Sequence, residues 1–251
     1  MDLKQSDESD DEEFELNSTY SPWPLGAVPT SWQRPELGEL RKLGFRLNDP
    51  RDAVQIFEEQ IAEYAGCKYA VAVDSCTSGI FLALKYRNYL GKIFIPRQTY
   101  VSVPMQVIHC GAKLVPRADP WTGLYSIDPV DVVDSAARFT SNMYVGNGAL
   151  QVLSFQIKKR LPIGKGGMIL TNDKDARDWL RLARHDGRNL NTPYTASKHV
   201  NLVGWHMYMT PEDAARGLLV FGQLDSNLPD MMTFSHYPDW TEWPVFKPFI
   251  T

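Results

Sequence analysis

Between residues 49 and 115 the apolar residues change period several times, and this alternation constrains the fold more than any other feature of the chain. Asp49-Pro50-Arg51-Asp52 has the composition of a helix start: an acid to cap, Pro at the first helical position and an acid in the first turn. Val54, Phe57, Ile61 and Tyr64 then recur at helical spacing, and Gly66 stops the helix. Lys68 to Val73 reads as a buried strand. Asp74 to Gly79 is a turn of small residues, and Ile80 to Leu90 returns to the helical period before Gly91. Ile93-Phe94-Ile95 is a strand ended by Pro96. A helix over Ser102–His109 and a strand over Lys113–Val115 follow, separated by Gly111. Strands joined through helices come back parallel, so the pattern predicts an α/β fold with a mostly parallel sheet covered by helices.

Further along, Val130–Val133 predicts a strand ending at Asp134, and Leu150–Phe155 and Met168–Thr171 predict two more. Asp173 caps a helix to Arg184 whose apolar residues are Trp179, Leu180, Leu182 and Ala183. Pro211 to Leu224 is the last clear helix. The flanks differ. Residues 1–15 hold eight acidic residues against Lys4, a local charge of −7. Self-repulsion and a lack of apolar residues predict a disordered acidic tail over 1–20. Residues 21–48, rich in Pro, Gly and Trp, predict an arm lying on a surface. The α/β body runs over 49–225, and 226–251 predicts an irregular tail packed on it.

Subtracting the acidic tail from the net −4 leaves the body about +3, with no basic stripe for nucleic acid. No apolar run is long enough to span a bilayer, and the acidic start is unlike a secretory signal. Cys67, Cys76 and Cys110 are odd in number and lack metal-knuckle spacing, which predicts a reducing, cytoplasmic compartment and no metal. Cys67 and Cys110 read as buried small apolar residues.

Four features fall where an open α/β sheet places ligands, at the C-terminal ends of strands. Ser75-Cys76-Thr77-Ser78-Gly79 joins a strand to a helix; small residues there let backbone amides approach an anion, although many strand–helix turns share the composition. Asp134 ends a buried strand and suits either a helix cap or a ligand contact. Ser154-Phe155-Gln156-Ile157-Lys158-Lys159-Arg160 leads into Gly164-Lys165-Gly166-Gly167. A lysine in such a cluster can form a Schiff base when burial or cationic neighbours lower its pKa, and a basic surface loop is the plainer alternative. Tyr100, after Pro96-Arg97-Gln98-Thr99, suits a stacking aromatic or a core tyrosine.

The order and spacing of these pieces resemble the DegT/DnrJ/EryC1/StrS family of sugar aminotransferases that use pyridoxal 5'-phosphate (PLP). The resemblance runs from about Phe57 to Leu224. Phe57-Glu58-Glu59 through Val73 resembles the family's first helix and strand, and Ser75-Cys76-Thr77 its Ser-Gly-Thr phosphate turn. Pro96 to Tyr100 resembles the segment with the ring-stacking aromatic, and Asp134-Ser135-Ala136 the Asp-x-Ala motif. Ser154-Phe155, then Lys159 and Gly166-Gly167, is the most specific match. Thr171-Asn172-Asp173, Arg184 to Arg188, and Gly204-Trp205 through Leu224 continue it.

The resemblance implies the large domain of the type I aminotransferase fold, with helices on both faces of the sheet and the small C-terminal domain largely missing. It implies PLP as cofactor, with Lys159 as its Schiff-base lysine and proton shuttle and Lys158 as the competing candidate. Asp134 would pair with the ring nitrogen, and Ser154 and the amides around Thr77 and Ser78 would take the phosphate. Tyr100 would stack on the ring. The implied reaction is ping-pong transamination between an amino-acid donor, glutamate or glutamine, and a nucleotide-linked keto-sugar, in a homodimer. Three departures stand out: Cys76 replaces the phosphate-turn glycine, and Ala137 stands where the family often has His or Gln. A strand–helix unit expected between Pro129 and the Asp134 strand is absent. These departures carry an alternative, a decayed homologue serving as a cofactor-binding or assembly module.

Overall fold

The computed structural model describes residues 35–192, 200–225 and 227–251. The expected acidic tail lies outside them, as does residue range 21–34 of the arm. The rest of the arm contains a short helix, α1 (Pro35–Lys42), whose Leu37 and Leu40 are buried. Helices α2 (Asp52–Ala65), α3 (Cys76–Arg87), α4 (Ser102–His109), α5 (Lys174–Ala183) and α6 (Pro211–Phe221) follow. The strands are β1 (Tyr69–Val73), β2 (Lys92–Pro96), β3 (Lys113–Arg117), β4 (Tyr125–Ile127), β5 (Val132–Asp134), β6 (Leu150–Ser154) and β7 (Gly167–Thr171).

Five strands form one sheet in the order β1-β7-β6-β5-β4, and β2 and β3 form a parallel pair. Reciprocal hydrogen bonds between Phe94 and Asp128, 2.7 and 3.1 Å, link the pair to the β4 edge. Strands β1, β2, β3, β5 and β6 share one direction; β4 and β7 run against them. The mostly parallel sheet of the sequence pattern is thus a mixed sheet. The reason at β4 is chain length. Only residues 128–131 join it to β5, and so short a connection reverses the chain, whereas a parallel neighbour needs a crossover of a dozen residues or more. The missing strand–helix unit is therefore answered by a three-residue antiparallel strand.

Both faces of the sheet are covered, which is why its strands read as unbroken apolar runs. Successive side chains alternate between two cores. Val71, Val73, Val152 and Ile169 join residues of α3, α4 and α5 on one side; Ala70, Ala72, Leu153, Met168 and Leu170 join residues of α1, α2 and α6 on the other. Gly79 permits the closest approach: a Cβ there would lie 2.6 Å from Val152 Cγ1 and 3.3 Å from Val73 Cγ2.

Element ends shift where local hydrogen bonding decides them. Asp49 does not cap α2; its carboxylate accepts from the Arg51 amide at 2.8 Å and pairs with the Arg51 guanidinium. The Asp52 carboxylate instead accepts from the Asn48 and Asp49 amides, 2.7 and 3.0 Å. Helix α3 starts four residues early because Ser75 caps it, and it stops at Asn88, which takes the left-handed conformation (φ 48°) before Gly91 is reached.

Glu58 is buried on α2 and ties three elements together. It accepts from the Ala72 amide of β1 (2.8 Å) and from Arg181 (2.7 Å) and Arg184 at the end of α5. The C-terminal segment is irregular apart from three single 3-10 turns, yet Trp240 and Phe246 are fully buried, and Trp240 Nε1 donates to the Pro96 carbonyl at 2.7 Å. Replacing Glu58 by Ala strands Arg184 as a buried, unpaired charge and should cost about 3–5 kcal/mol of unfolding free energy. Trp240→Ala should cost a similar ~3–5 kcal/mol through the cavity it leaves. Urea denaturation checks both; a Trp240→Ala loss under about 1 kcal/mol would show that the C-terminal segment is not part of the cooperative fold.

Candidate active site

Strand direction gathers the site. The C-terminal ends of β1, β2, β5 and β6 share one edge with the N-terminal ends of β4 and β7, as the pairs Val73–Gly167, Ser154–Gly167 and Tyr125–Asp134 show. A cavity of about 500 Å³ opens along that edge, within the usual range for small-molecule and cofactor sites. Thr77, Tyr100, Asp134, Ser154 and Lys159 all line it; of the six residues singled out in the sequence, Ser78 alone does not.

The phosphate-turn segment is the first turn of α3 rather than a loop. Ser75 Oγ accepts from the Ser78 amide at 3.1 Å and donates to Ser78 Oγ at 2.9 Å. That cap occupies the Ser78 amide. Cys76 and Thr77 line the cavity, and their amides occupy the first helical positions, where a helix supplies no internal acceptor. Thr77 Oγ1 lies 2.8 Å from Ser102 Oγ, so α4 lends a second hydroxyl to this corner.

Lys159 sits on a turn fixed to the end of β6. Its amide donates to the Gln156 carbonyl at 2.8 Å, and the Phe155 amide donates to the Gly166 carbonyl at 2.9 Å. Gly166 has φ 148°, a conformation side chains rarely adopt, and this lets the returning chain lie against Phe155. Lys159 is half-buried and Lys158 exposed, though both line the cavity. Lys165 pairs with Asp74 at 3.2 Å, and Arg160 turns away to donate to the Pro229 carbonyl.

Asp134 is buried at the end of β5. Its Oδ1 accepts from the Ala136 amide at 2.8 Å, and its Oδ2 accepts from the Tyr125 hydroxyl at 2.6 Å. Burial pushes its carboxyl above the ordinary range, against the pull of the Tyr125 bond, the Ala136 amide and the Lys159 charge. Cys76 Sγ lies 3.9 Å away, and burial holds that thiol well above its usual value. Cys110 is buried as the sequence suggests, whereas Cys67 is only half-buried; burial raises each thiol to about 11, and each sulfur faces a backbone carbonyl.

Several cavity residues carried no signal in the sequence. Tyr125 reaches Asp134 only through the antiparallel β4. Tyr237 and Met232 arrive from the C-terminal segment, where no period marks them. That segment is fastened beside the site by Arg138 with Asp230 (2.9 and 2.7 Å) and by the Met231 amide on the Ala137 carbonyl. Tyr237 lies 5.6 Å from the Trp121 ring, which in turn lies 4.8 Å from the Tyr125 ring.

A model of the DegT/DnrJ/EryC1/StrS aminotransferase family matches residues 44–143 and 130–231, two overlapping segments that cover most of the chain. The chain belongs to this family. Among curated members, it is 28% identical to the spore coat polysaccharide biosynthesis protein SpsC of Bacillus subtilis, over 76% of this chain and 61% of that protein. It is 29% identical to GDP-perosamine synthase of Caulobacter vibrioides, over 68% and 57%. The family member thus spans about three fifths of the length of these relatives. In fold it is similar to AtS13 from Actinomadura melliaura, with a TM-score of 0.58 at 20% identity, over 74% of this chain and 63% of that one. No helix among the described residues is long and apolar enough to cross a membrane.

The burial of Asp134 has a measurable cost. Its folded-state pKa lies above the ordinary 3.8, so the folded chain binds this proton more tightly than the unfolded chain. Stability contributed by the protonated carboxyl is present at low pH and lost as pH rises through the folded value. Asp134→Asn should therefore be more stable than wild type at pH 7, with the difference shrinking as pH falls towards 3.8. Urea midpoints at pH 7 and pH 4.5 check this; equal stability at both would show that the carboxyl carries no burial penalty.

Proposed function

We propose that this chain is a PLP-dependent aminotransferase that transfers an amino group from an amino-acid donor to a keto-sugar carried on a nucleotide. The observation that carries the reading is the convergence of Lys159, Asp134, Ser154 and the α3 N-terminus on one cavity of cofactor size. The donor set fits PLP: a half-buried amine, a buried carboxylate and a helix N-terminus with hydroxyls beside it. Family membership supports the reaction class. The GDP-sugar name of one relative supports a nucleotide-linked acceptor.

Lys159 would hold the cofactor through Nζ. It is favoured over Lys158 by its burial and by the effect of its charge on both Asp134 and Cys76. When bound, PLP supplies an electron sink that stabilises negative charge on the carbon losing a proton. With PLP bound, Lys159 Nζ would be the group placed to take and return that proton. Asp134 holds a proton on the ring nitrogen. Ser154, Thr77 and the amides of Cys76 and Thr77 bind the phosphate at the α3 N-terminus, where the helix dipole favours negative charge. Tyr100, which is 58% exposed and lines the cavity, would be available to stack on the ring. Lys158 and Lys165 at the rim suit the phosphates of a nucleotide sugar. The two half-reactions share one site, giving ping-pong kinetics. The working unit in this proposal is a cytoplasmic homodimer, to be checked by light scattering.

Purified protein with PLP should develop a visible absorbance band that borohydride fixes onto Lys159, located by peptide mass mapping. Lys159→Ala should abolish the band, whereas Lys158→Ala should keep it. No band at saturating PLP would sink the enzyme reading and favour a binding or assembly module.

A further inference from the structure

The carboxylate at Asp134 must stay ionised to hold a proton on a ring nitrogen, yet it sits where burial favours its neutral form. The residue three positions on, Ala137, has no polar group with which to support it. The support comes from the other side, across the sheet. Tyr125 pairs directly with Asp134 in the antiparallel register of β4 and β5. Its hydroxyl lies 2.6 Å from Asp134 Oδ2 and 2.5 Å from Thr99 Oγ1, and both Tyr125 and Thr99 are buried.

The direction of these bonds follows from counting hydrogens. An ionised carboxylate only accepts, so the single hydroxyl hydrogen of Tyr125 points to Asp134. Thr99 must then donate to the Tyr125 oxygen. The chain Thr99 to Tyr125 to Asp134 is one-directional and every member is satisfied, the condition under which a buried polar network favours one charge state.

We infer that Tyr125 is a positioning residue: held by Thr99, it keeps Asp134 ionised and aimed into the cavity, in place of a polar residue at position 137. This rests on the aminotransferase reading for what Asp134 faces. The relay itself is a property of the chain alone. The device depends on β4 running antiparallel, since that direction sets Tyr125 opposite Asp134.

Other titratable groups around the carboxylate come from each element packed there. Cys76 belongs to α3, Lys159 to the loop after β6, and Tyr237 to the C-terminal segment. The Cys76 sulfur is a weak donor at 3.9 Å. Lys159 acts through its charge with no direct bond recorded between them. The Ala136 amide serves Oδ1 and is independent of Tyr125. Tyr125 is thus the donor whose loss leaves Oδ2 without a strong partner.

The test reads Asp134 directly. Protein free of cofactor is labelled at the aspartate side-chain carbonyl carbons and titrated by carbon-13 NMR, with Asp134→Asn assigning the resonance. Loss of a charge-assisted hydrogen bond in Tyr125→Phe should raise the Asp134 pKa by roughly 1–2 pH units. Thr99→Val, which keeps the tyrosine but removes its donor, should raise it by less. An Asp134 pKa unchanged in Tyr125→Phe would overturn the inference. Should Tyr125→Phe fail to fold, Thr99→Val decides by the same reading, and no shift there overturns it. PLP binding separates the two levels. If wild type binds PLP, Tyr125→Phe should bind about tenfold more weakly, a factor matching one pH unit; equal binding would remove Tyr125 from cofactor support. If wild type takes up no PLP, the aminotransferase reading falls, and the NMR titration still decides the relay.

Discussion

Helix α3 lies against the middle of the sheet because residue 79 has no side chain. A Cβ there would collide with Val152 and crowd Val73 and Ile169, residues of three neighbouring strands. Much else follows from that contact. It sets the depth at which the N-terminus of α3 meets the sheet edge, and so brings Cys76 and Thr77 beside Asp134 and Ser154. It also lets side chains from β1, β6 and β7 pack into one apolar layer beneath α3. Displacing the helix by the width of a methyl group would open both the core and the cavity corner lined by Cys76 and Thr77.

Sequence periodicity located the body of the fold well, because a sheet buried on both faces writes itself as short apolar runs. The runs at residues 68–73, 150–155 and 168–171 became β1, β6 and β7, each bound shifting by one residue at most. What periodicity lacks is direction. Nothing in Tyr125-Ser126-Ile127 says that this strand opposes β5; the shortness of the connection says it, once the pairing is known. Element ends were hidden for a similar reason. Ser75 as cap and Asn88 as terminator each depend on a local bond that composition only permits.

The candidate site divides along the same line. Asp134, Ser154 and Thr77 lie at the end of a strand or the start of a helix and Lys159 on the turn after β6, so the family's motif spacing picks out four residues that line one cavity. Ser78 is a phosphate-binding candidate by the family resemblance; in the structure its amide donates to the helix cap, Ser75 Oγ. Tyr125, Tyr237 and Met232 come from distant or aperiodic segments, and only the folded chain brings them to the cavity. The C-terminal segment illustrates this best: it has no repeating pattern, yet it is held by the Arg138–Asp230 pair, the Trp240 indole and backbone bonds to residues 121–123 and 137.

The short antiparallel β4 constrains what an insertion beside it would do. In an antiparallel strand Tyr125 lies at the edge where β5 ends; in a parallel strand the same residue would lie at the opposite edge, the full height of the sheet away from Asp134. A helix inserted between residues 127 and 132 would permit the parallel arrangement, but adopting it would carry Tyr125 out of reach of the carboxylate. The Tyr125–Asp134 bond therefore holds only while the strand points the way the short turn dictates. The turn at 128–131 can vary in sequence, but lengthening it into a crossover would require a new partner for Asp134.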